Sequence, residues 1–181
     1  MMSTTTIRPA RTPADLAAFR ALCLEYARTL EYTAECQSLE HQGFDAEMAT
    51  LPGAYAPPRG EILLAFDPAA PESPIGCVAL RPLGDGGDFC EMKRMYVRPH
   101  ARSRGVGRAL ATALIAAARE RNYRAMRLDT GATMLHAAAL YQSLGFRDIP
   151  AYNHDPAPGT RWMELPLDAP IGAPLHRPRS R

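Results

Sequence analysis

The sequence predicts one α/β domain, in which a mixed, mostly antiparallel sheet of about seven strands is flanked by about four helices. Three observations lead there. Short β-prone runs bounded by Pro and Gly recur along the chain; three of them follow one another between Glu61 and Val97 with short connections; and an alanine-rich helical stretch separates the third from the next run at Ala125. Strands joined by short connections pair antiparallel, whereas a strand reached through a helix becomes a parallel neighbour. A length of 181 residues suits one domain with a real core, and 46% hydrophobic against 22% charged residues excludes wholesale disorder. The expected domain runs over residues 1–167, and the Pro- and Arg-rich tail, 168–181, is expected to be disordered.

Taken in order, Thr4 to Arg8 is a β-prone run, and Thr12-Pro13-Ala14-Asp15 supplies an N-cap with proline at the first helical position. Leu16, Phe19, Leu22, Cys23 and Tyr26 then repeat at the helical period, giving a helix over Pro13 to Thr29. Residues 31–47 hold five acids and no Lys or Arg, which is either a solvated face or a wall that attracts a cationic substrate. A second helical piece covers Phe44 to Thr50 and stops before Pro52-Gly53. Strands are read at Glu61 to Phe66 and Ile75 to Leu80, with Asp67 to Pro74, which holds three prolines, as the loop between them. Pro82 to Asp88 is the connection into a strand over Glu91 to Val97. A helix from Gly105 to about Asn122, a strand at Ala125 to Leu128, a turn at Asp129-Thr130-Gly131 and a helix capped by Thr133 and closed by Gly145 follow. Phe146 to Ile149 and Arg161 to Leu167 are the last strands.

The stretch with the most chemistry is Glu91 to Leu110, EMKRMYVRPHARSRGVGRAL. Pro99 ends the strand, because proline offers no N–H to a ladder. Val106, Leu110, Ala113, Leu114 and Ala117 recur at helical spacing after it. The unit is strand, glycine-bearing loop, helix. A helix start leaves its first N–H groups without intrahelical partners and carries partial positive charge, so it attracts anions. Gly105 and Gly107 let a ligand approach the backbone. Between Met92 and Arg108 there is no carboxylate, while Lys93, Arg94, Arg98, Arg102, Arg104 and Arg108 are cationic, which suits phosphate. A GxxxxGK[ST] loop is excluded because Arg108-Ala109 follows Gly107, and a dinucleotide fingerprint is excluded because position 110 is leucine.

What remains, Arg102-x-x-Gly105-x-Gly107 after a strand closing in Tyr-Val, resembles the acetyl-CoA motif of the GNAT superfamily of N-acyltransferases. A second match, Ala137-x-x-Leu140-Tyr141-x-x-x-Gly145-Phe146, resembles that superfamily's segment after its fifth strand, and the order of elements is similar to the GNAT fold over about residues 5–167. The resemblance implies a domain that binds acetyl-CoA where the strands at Glu91 and Ala125 splay apart. Backbone groups of Met95, Tyr96 and Val97 would hold the pantetheine arm, and the N–H groups of Arg102, Ser103, Arg104, Gly105, Val106, Gly107 and Arg108 the pyrophosphate. It further implies direct acetyl transfer to a primary amine in a ternary complex. An amine attacks only as its neutral form, so a proton acceptor is needed. Glu91, six residues before Val97, stands where some members carry a general-base glutamate, and is alternatively a structural partner for Arg94, Arg127 or another cation. Tyr141 is matched to protonation of the leaving CoA sulfur, with a core tyrosine as the alternative. Many relatives carry asparagine seven residues before that tyrosine; this chain has Met134.

Two other readings stand beside this one. A non-catalytic acyl-CoA-binding regulatory domain would keep the loop without turnover. A nucleic-acid-binding module would use the arginines, but no aromatics interleave with them and the net charge is only +2. Cys23, Cys36, Cys77 and Cys90 form no C-x-x-C pair and the five histidines are scattered, so free thiols and no metal are expected. Met1 to Thr6 lacks a signal segment and no apolar run reaches membrane-spanning length, so a cytoplasmic protein is expected. Its expected partners are acetyl-CoA and an amine acceptor, with no nucleic acid and no membrane; homodimerisation is left open. Tyr32, Phe44, Tyr55, Tyr152, Asn153, His154 and Trp162 are candidates for the acceptor side.

Overall fold

The computed structural model describes residues 5–30, 43–84, 87–155 and 157–167. In chain order the elements are β1 (Thr6–Pro9), α1 (Pro13–Thr29), α2 (Phe44–Ala49), a 3₁₀ turn (Gly53–Tyr55), β2 (Glu61–Asp67), β3 (Ala70–Leu83) and β4 (Phe89–Val97). A second 3₁₀ turn (Pro99–Ala101), α3 (Val106–Glu120), β5 (Ala125–Thr130), α4 (Leu135–Ser143), β6 (Arg147–Ile149) and β7 (Arg161–Pro166) complete them. The seven strands form one sheet in the order β1-β2-β3-β4-β5-β7-β6. Among the described residues only β4 and β5 run parallel, and α3 makes their crossover. The expected tail at 168–181, Tyr32, Cys36 and most of the acidic stretch lie outside the described residues.

Helix α1 starts where its cap dictates. The Thr12 hydroxyl accepts the Asp15 N–H at 3.1 Å, and the Asp15 carboxylate accepts the Thr12 N–H at 3.0 Å, a reciprocal capping box with Pro13 just inside it. The central strands β2 to β4 are buried on both faces. Along β2, Ile62, Leu64 and Phe66 join Phe19, Leu22, Phe44 and Tyr55 under α1 and α2, while Leu63 and Ala65 join Leu110, Leu114 and Ile115 of α3. That is the period-2 alternation of a strand between two helical layers.

Strand β4 breaks this alternation, and the break shapes the site. Cys90 and Met92 face α3, yet Tyr96 packs on the opposite face while Met95 and Val97 pack against the α3 side. The parity flips at Arg94, which has φ +58, and the pairing with β3 jumps from Ala79↔Lys93 to Cys77↔Tyr96. One extra residue on one strand is a β-bulge. The bulged backbone is secured by its own side chain: Arg94 Nε and Nη2 reach Glu47 Oε1 and Oε2 at 2.7 and 3.0 Å, and the guanidinium lies 5.0 Å from the centre of the Phe44 ring.

Four boundaries differ from the sequence reading. Residues Asp67 to Pro74 are not a loop throughout, because β3 begins at Ala70 and carries Pro71 and Pro74. Proline is tolerated there because the β2–β3 register slips between Ala65 and Asp67, so the ladder is already irregular. The same strand continues through Pro82 to Leu83, shortening the expected connection. Asp129 and Thr130 are not turn residues: β7 holds them in the sheet through Asp129↔Trp162 and Thr130↔Arg161. Thr133 does not cap α4; Met134 occupies that position without a side-chain bond. Gly145, at φ +99, follows the helix as expected.

Candidate active site

The parallel pairing of β4 with β5 covers Phe89↔Ala125, Cys90↔Met126 and Glu91↔Arg127 and then stops. Beyond Glu91 the strands diverge. From Met92 to Val97, β4 keeps β3 on one side and presents its other edge to a cavity of about 860 Å³. Besides that edge, the cavity is lined by Tyr26 of α1, Asp129 and Thr130 of β5, Met134 to Ala137, Leu140 and Tyr141, and the loop residues Asp155, Ala157 and Thr160. The loop from Ala101 to Ser103 and the start of α3 at Gly105 to Arg108 close one end.

Nine of the ten residues expected around acetyl-CoA line this one cavity: Met95, Tyr96, Val97, Arg102, Ser103, Gly105, Val106, Gly107 and Arg108. Arg104 does not; its guanidinium pairs with Asp67 at 2.7 Å. The cations are also less available than the sequence suggested. Lys93 pairs with Asp129, Arg94 with Glu47 and Arg98 with Glu25, acids brought in from distant parts of the chain. Arg102 and Arg108 instead donate to neutral oxygens, the Val97 carbonyl at 3.0 Å and the Ser143 hydroxyl at 2.8 Å.

An acyl-CoA fits these features. Gly105 caps α3 in the left-handed conformation at φ +80, with no side-chain hydrogen bond to the helix start, and a Cβ built on it would meet no atom within 4 Å. The first-turn N–H groups therefore remain for an anion. Gly107 sits under Leu140 and Val97, where a Cβ would make contacts at 3.5 and 3.8 Å. On the cavity wall, the buried Thr130 hydroxyl has no hydrogen-bond partner among the described residues. A strand edge without a neighbour offers alternating N–H and C=O groups to an extended amide-bearing ligand.

The two expected catalytic residues part company. Tyr141 is on the cavity wall, tilted against Phe146 with ring centres 5.8 Å apart. Burial, then the nearby Tyr26 hydroxyl and the Asp129 carboxylate, raise its pKa above the usual tyrosine value, so it is held in the protonated form. Glu91 is fully buried and does not line the cavity. Arg81 Nε and Nη2 both reach its Oε2 at 2.7 Å, and the Tyr152 hydroxyl donates to its Oε1 at 2.8 Å. Lys93 Nζ, 3.9 Å from Glu91 Oε1, leans instead to Asp129, at 3.2 and 3.3 Å from its two oxygens.

Asp129 is the residue that sequence reasoning missed. It was placed in a turn, and the signal that could have found it is the run Leu128-Asp129-Thr130, whose alternation continues the strand. Asn153 Nδ2 donates to Asp129 Oδ2 at 3.0 Å, and Trp162 Nε1 donates to Asn153 Oδ1 at 2.5 Å. Tyr152, Asn153 and Trp162 thus stand behind the cavity, orienting Glu91 and Asp129, rather than lining it. Tyr55 and Phe44 are core residues. Despite the cost of burial, Lys93, Asn153 and Arg94 hold the Asp129 pKa below the usual carboxylate value.

A seven-stranded mixed sheet with a parallel β4–β5 pair, a divergence beyond Glu91 and a glycine-bearing helix start at its mouth defines the GNAT class of acyltransferase fold. Residues 23–146 match the model of the Acetyltransferase (GNAT) family, and the chain belongs to that family. It is 36% identical over 165 residues to an uncharacterized N-acetyltransferase of Schizosaccharomyces pombe, covering 91% of this chain and 96% of that one. Among solved structures it resembles a GCN5-related N-acetyltransferase of Kribbella flavida, with TM-score 0.64 and 27% identity over 90% of this chain and 97% of the other. The Salmonella typhimurium protein YncA, solved with its cofactor acetyl-CoA, has the same fold at TM-score 0.63 and 22% identity, over 93% of this chain and 99% of that one. Among the described residues, no helix is long and apolar enough to cross a membrane and no group of three His, Cys, Asp or Glu is arranged to hold a metal.

Proposed function

We propose that this protein is an N-acetyltransferase that moves the acetyl group of acetyl-CoA directly to a primary amine within a ternary complex. The observation that carries this reading is that the unpaired β4 edge, the uncapped start of α3 and Tyr141 all line one cavity. The pyrophosphate is assigned to the first-turn N–H groups of α3, with Arg102 and Arg108 beside them. The pantetheine arm runs along Met95 to Val97 as an added strand, and one backbone N–H there polarises the thioester carbonyl as charge develops on its oxygen. When the tetrahedral intermediate collapses, Tyr141 supplies the proton to the departing sulfur. No side chain needs to be acylated, because donor and acceptor meet in the same opening.

The test is isothermal titration with acetyl-CoA, followed in the same sample by free-thiol release across a panel of alkylamines, amino-acid amides and peptides. Binding with release for one acceptor class establishes the activity and names the substrate type. Binding with no release across the panel supports an acyl-CoA-binding regulatory domain instead. Absence of binding, from folded protein free of copurified CoA, refutes the assignment of residues 91–110.

A further inference from the structure

The incoming amine must shed a proton, and the cavity holds a carboxylate placed to take it. We propose that Asp129 is the proton acceptor for the attacking amine, with Lys93 and Asn153 holding it in position, and that Glu91 acts behind it as an anchor for Lys93 and Arg81. The inference rests on the acetyltransferase reading above and adds to it the residue that activates the acceptor.

Asp155 also lines the cavity, but its Oδ1 accepts the Ala157 N–H at 2.8 Å and the Thr160 hydroxyl at 3.4 Å within its own loop; between Glu91 and Asp129, reach decides. Glu91 is 0% exposed, is outside the cavity lining, and has both oxygens occupied by short bonds from Arg81 and Tyr152. Asp129 lines the cavity on the same wall system as Tyr141, and its side chain is 12% exposed. Its bonds are longer than those to Glu91: Lys93 is shared between both oxygens at 3.2 and 3.3 Å, and Asn153 donates to Oδ2 alone at 3.0 Å. A carboxylate offers about four lone-pair sites, so Asp129 Oδ1 retains capacity for an amine N–H. Placement follows from the sheet. Asp129 stands two residues past the last parallel pair, Glu91↔Arg127, where the strands have just diverged, and β7 pins its backbone through Trp162.

The charged and titratable groups around Asp129 support an ionised acceptor. Lys93 and Arg94 approach from β4, Tyr141 from α4 and Tyr152 from the β6–β7 loop; the two cations keep the carboxylate ionised through the neutral range, while the two tyrosines stay protonated. The proton balance closes. An ammonium gives one proton to Asp129, which returns it to water. The neutral nitrogen then attacks the thioester carbon, an N–C bond forms and the C–S bond breaks. Tyr141 gives its proton to the thiolate and is reprotonated by the proton that the new amide nitrogen loses.

The experiment uses the full chain, acetyl-CoA, the amine giving fastest thiol release in the panel, and that amine's β,β-difluoro analogue, which has nearly the same shape but is far less basic. Asp129→Asn is expected to lower kcat on the parent amine by about 10²- to 10⁴-fold, the range of a lost general base. With the assay run at mildly alkaline pH, where the difluoro amine is mostly neutral and the parent amine is still mostly ammonium, the loss on the difluoro amine should be less than about tenfold, and acetyl-CoA affinity should be unchanged. A positioning role would cost both amines equally, and that result overturns the proposal, as does unchanged turnover. Glu91→Gln, measured on the same pair, should slow both amines by a common factor; a loss confined to the basic amine would move the acceptor role to Glu91 and overturn the proposal. Should Asp129→Asn fail to fold, as judged by Trp162 emission, Asp129→Glu decides. It keeps the charge facing Lys93 and is expected to preserve the ratio of the two amine rates while lowering both; a ratio shifted against the basic amine overturns the assignment. Wild-type protein that acetylates no amine refutes the acetyltransferase reading and this inference with it, whereas wild-type turnover with equal losses refutes this inference alone.

Discussion

Replacing Glu91 by glutamine keeps the side-chain volume and removes the charge, so its cost in stability measures what the buried carboxylate organises. Arg81 places two donors on Oε2 at 2.7 Å and Tyr152 one on Oε1 at 2.8 Å. Glutamine can still accept from Arg81 with its carbonyl oxygen, but its amide group then faces the Tyr152 oxygen and leaves that hydroxyl proton without its acceptor, which adds to the cost. The rest of the loss is the conversion of charge-assisted bonds, worth about 1.5–3 kcal/mol each, into neutral ones, worth about 0.5–1.5 kcal/mol. For the two Arg81 bonds that is roughly 2–3 kcal/mol, reduced somewhat because the Arg81 side chain is 29% exposed and can recover water. In a domain of this size each kcal/mol moves the midpoint by about 2–4 °C, so Tm should fall by roughly 4–12 °C. Trp162, the single tryptophan, reports the unfolding by fluorescence from a position tied to the same network through Asn153. A shift below about 1 °C would refute the reasoning, since the Arg81, Tyr152 and Lys93 contacts would then not depend on the charge at position 91.

The remaining predictions address the cavity, the cap and the strand contact. Gly105→Glu places a side chain and a negative charge at the start of α3 and should weaken acetyl-CoA binding at least tenfold by titration, while Gly105→Ala should cost only about 1 kcal/mol of stability from its φ of +80. Tyr141→Phe should lower kcat by 10²-fold or more with acetyl-CoA affinity unchanged; equal turnover would remove Tyr141 from the chemistry. Thr12→Ala should destabilise the protein by about 1 kcal/mol in urea, because it removes the cap of α1. Against the upward push of burial, bonds from Arg11, Thr12 and Arg8 lower the Asp15 pKa from 3.8 to about 2. A lowered folded-state pKa means that this contribution is full above about pH 4 and is lost as pH falls toward 2, an acid limb that Asp15→Asn should flatten. Gly76→Ala would bring a Cβ within 2.8 Å of the Tyr96 carbonyl oxygen, forcing β3 and β4 apart beside the cavity, and should cost about 1–3 kcal/mol.

The parts of this molecule legible in its sequence are those set by local chemistry. Thr12-Pro13-Ala14-Asp15 places the start of α1 because a capping box is closed within four residues. Gly105 marks the start of α3 because a residue without a Cβ adopts a left-handed cap at the least cost. The parallel β4–β5 pair follows from the helix between them. What escaped notice depends on partners far along the chain. The bulge at Arg94 leaves no local mark, since arginine has no preference for φ +58; it is held by Glu47, across 47 positions, and by the Phe44 ring. Asp129 next to Thr130-Gly131 reads as a turn until β7 supplies Trp162 and Arg161 as its ladder partners. The cationic loop misleads for the same reason, because its acids, Asp67, Glu47, Glu25 and Asp129, come from four separate segments. A charge count along a strand and loop overstates the field that a phosphate meets. On the proposed acetyltransferase reading, affinity for the anion would rest more on the backbone N–H groups of α3 than on its arginines, and Arg102 and Arg108, bonded to neutral oxygens, are the side chains whose removal should weaken acetyl-CoA binding most.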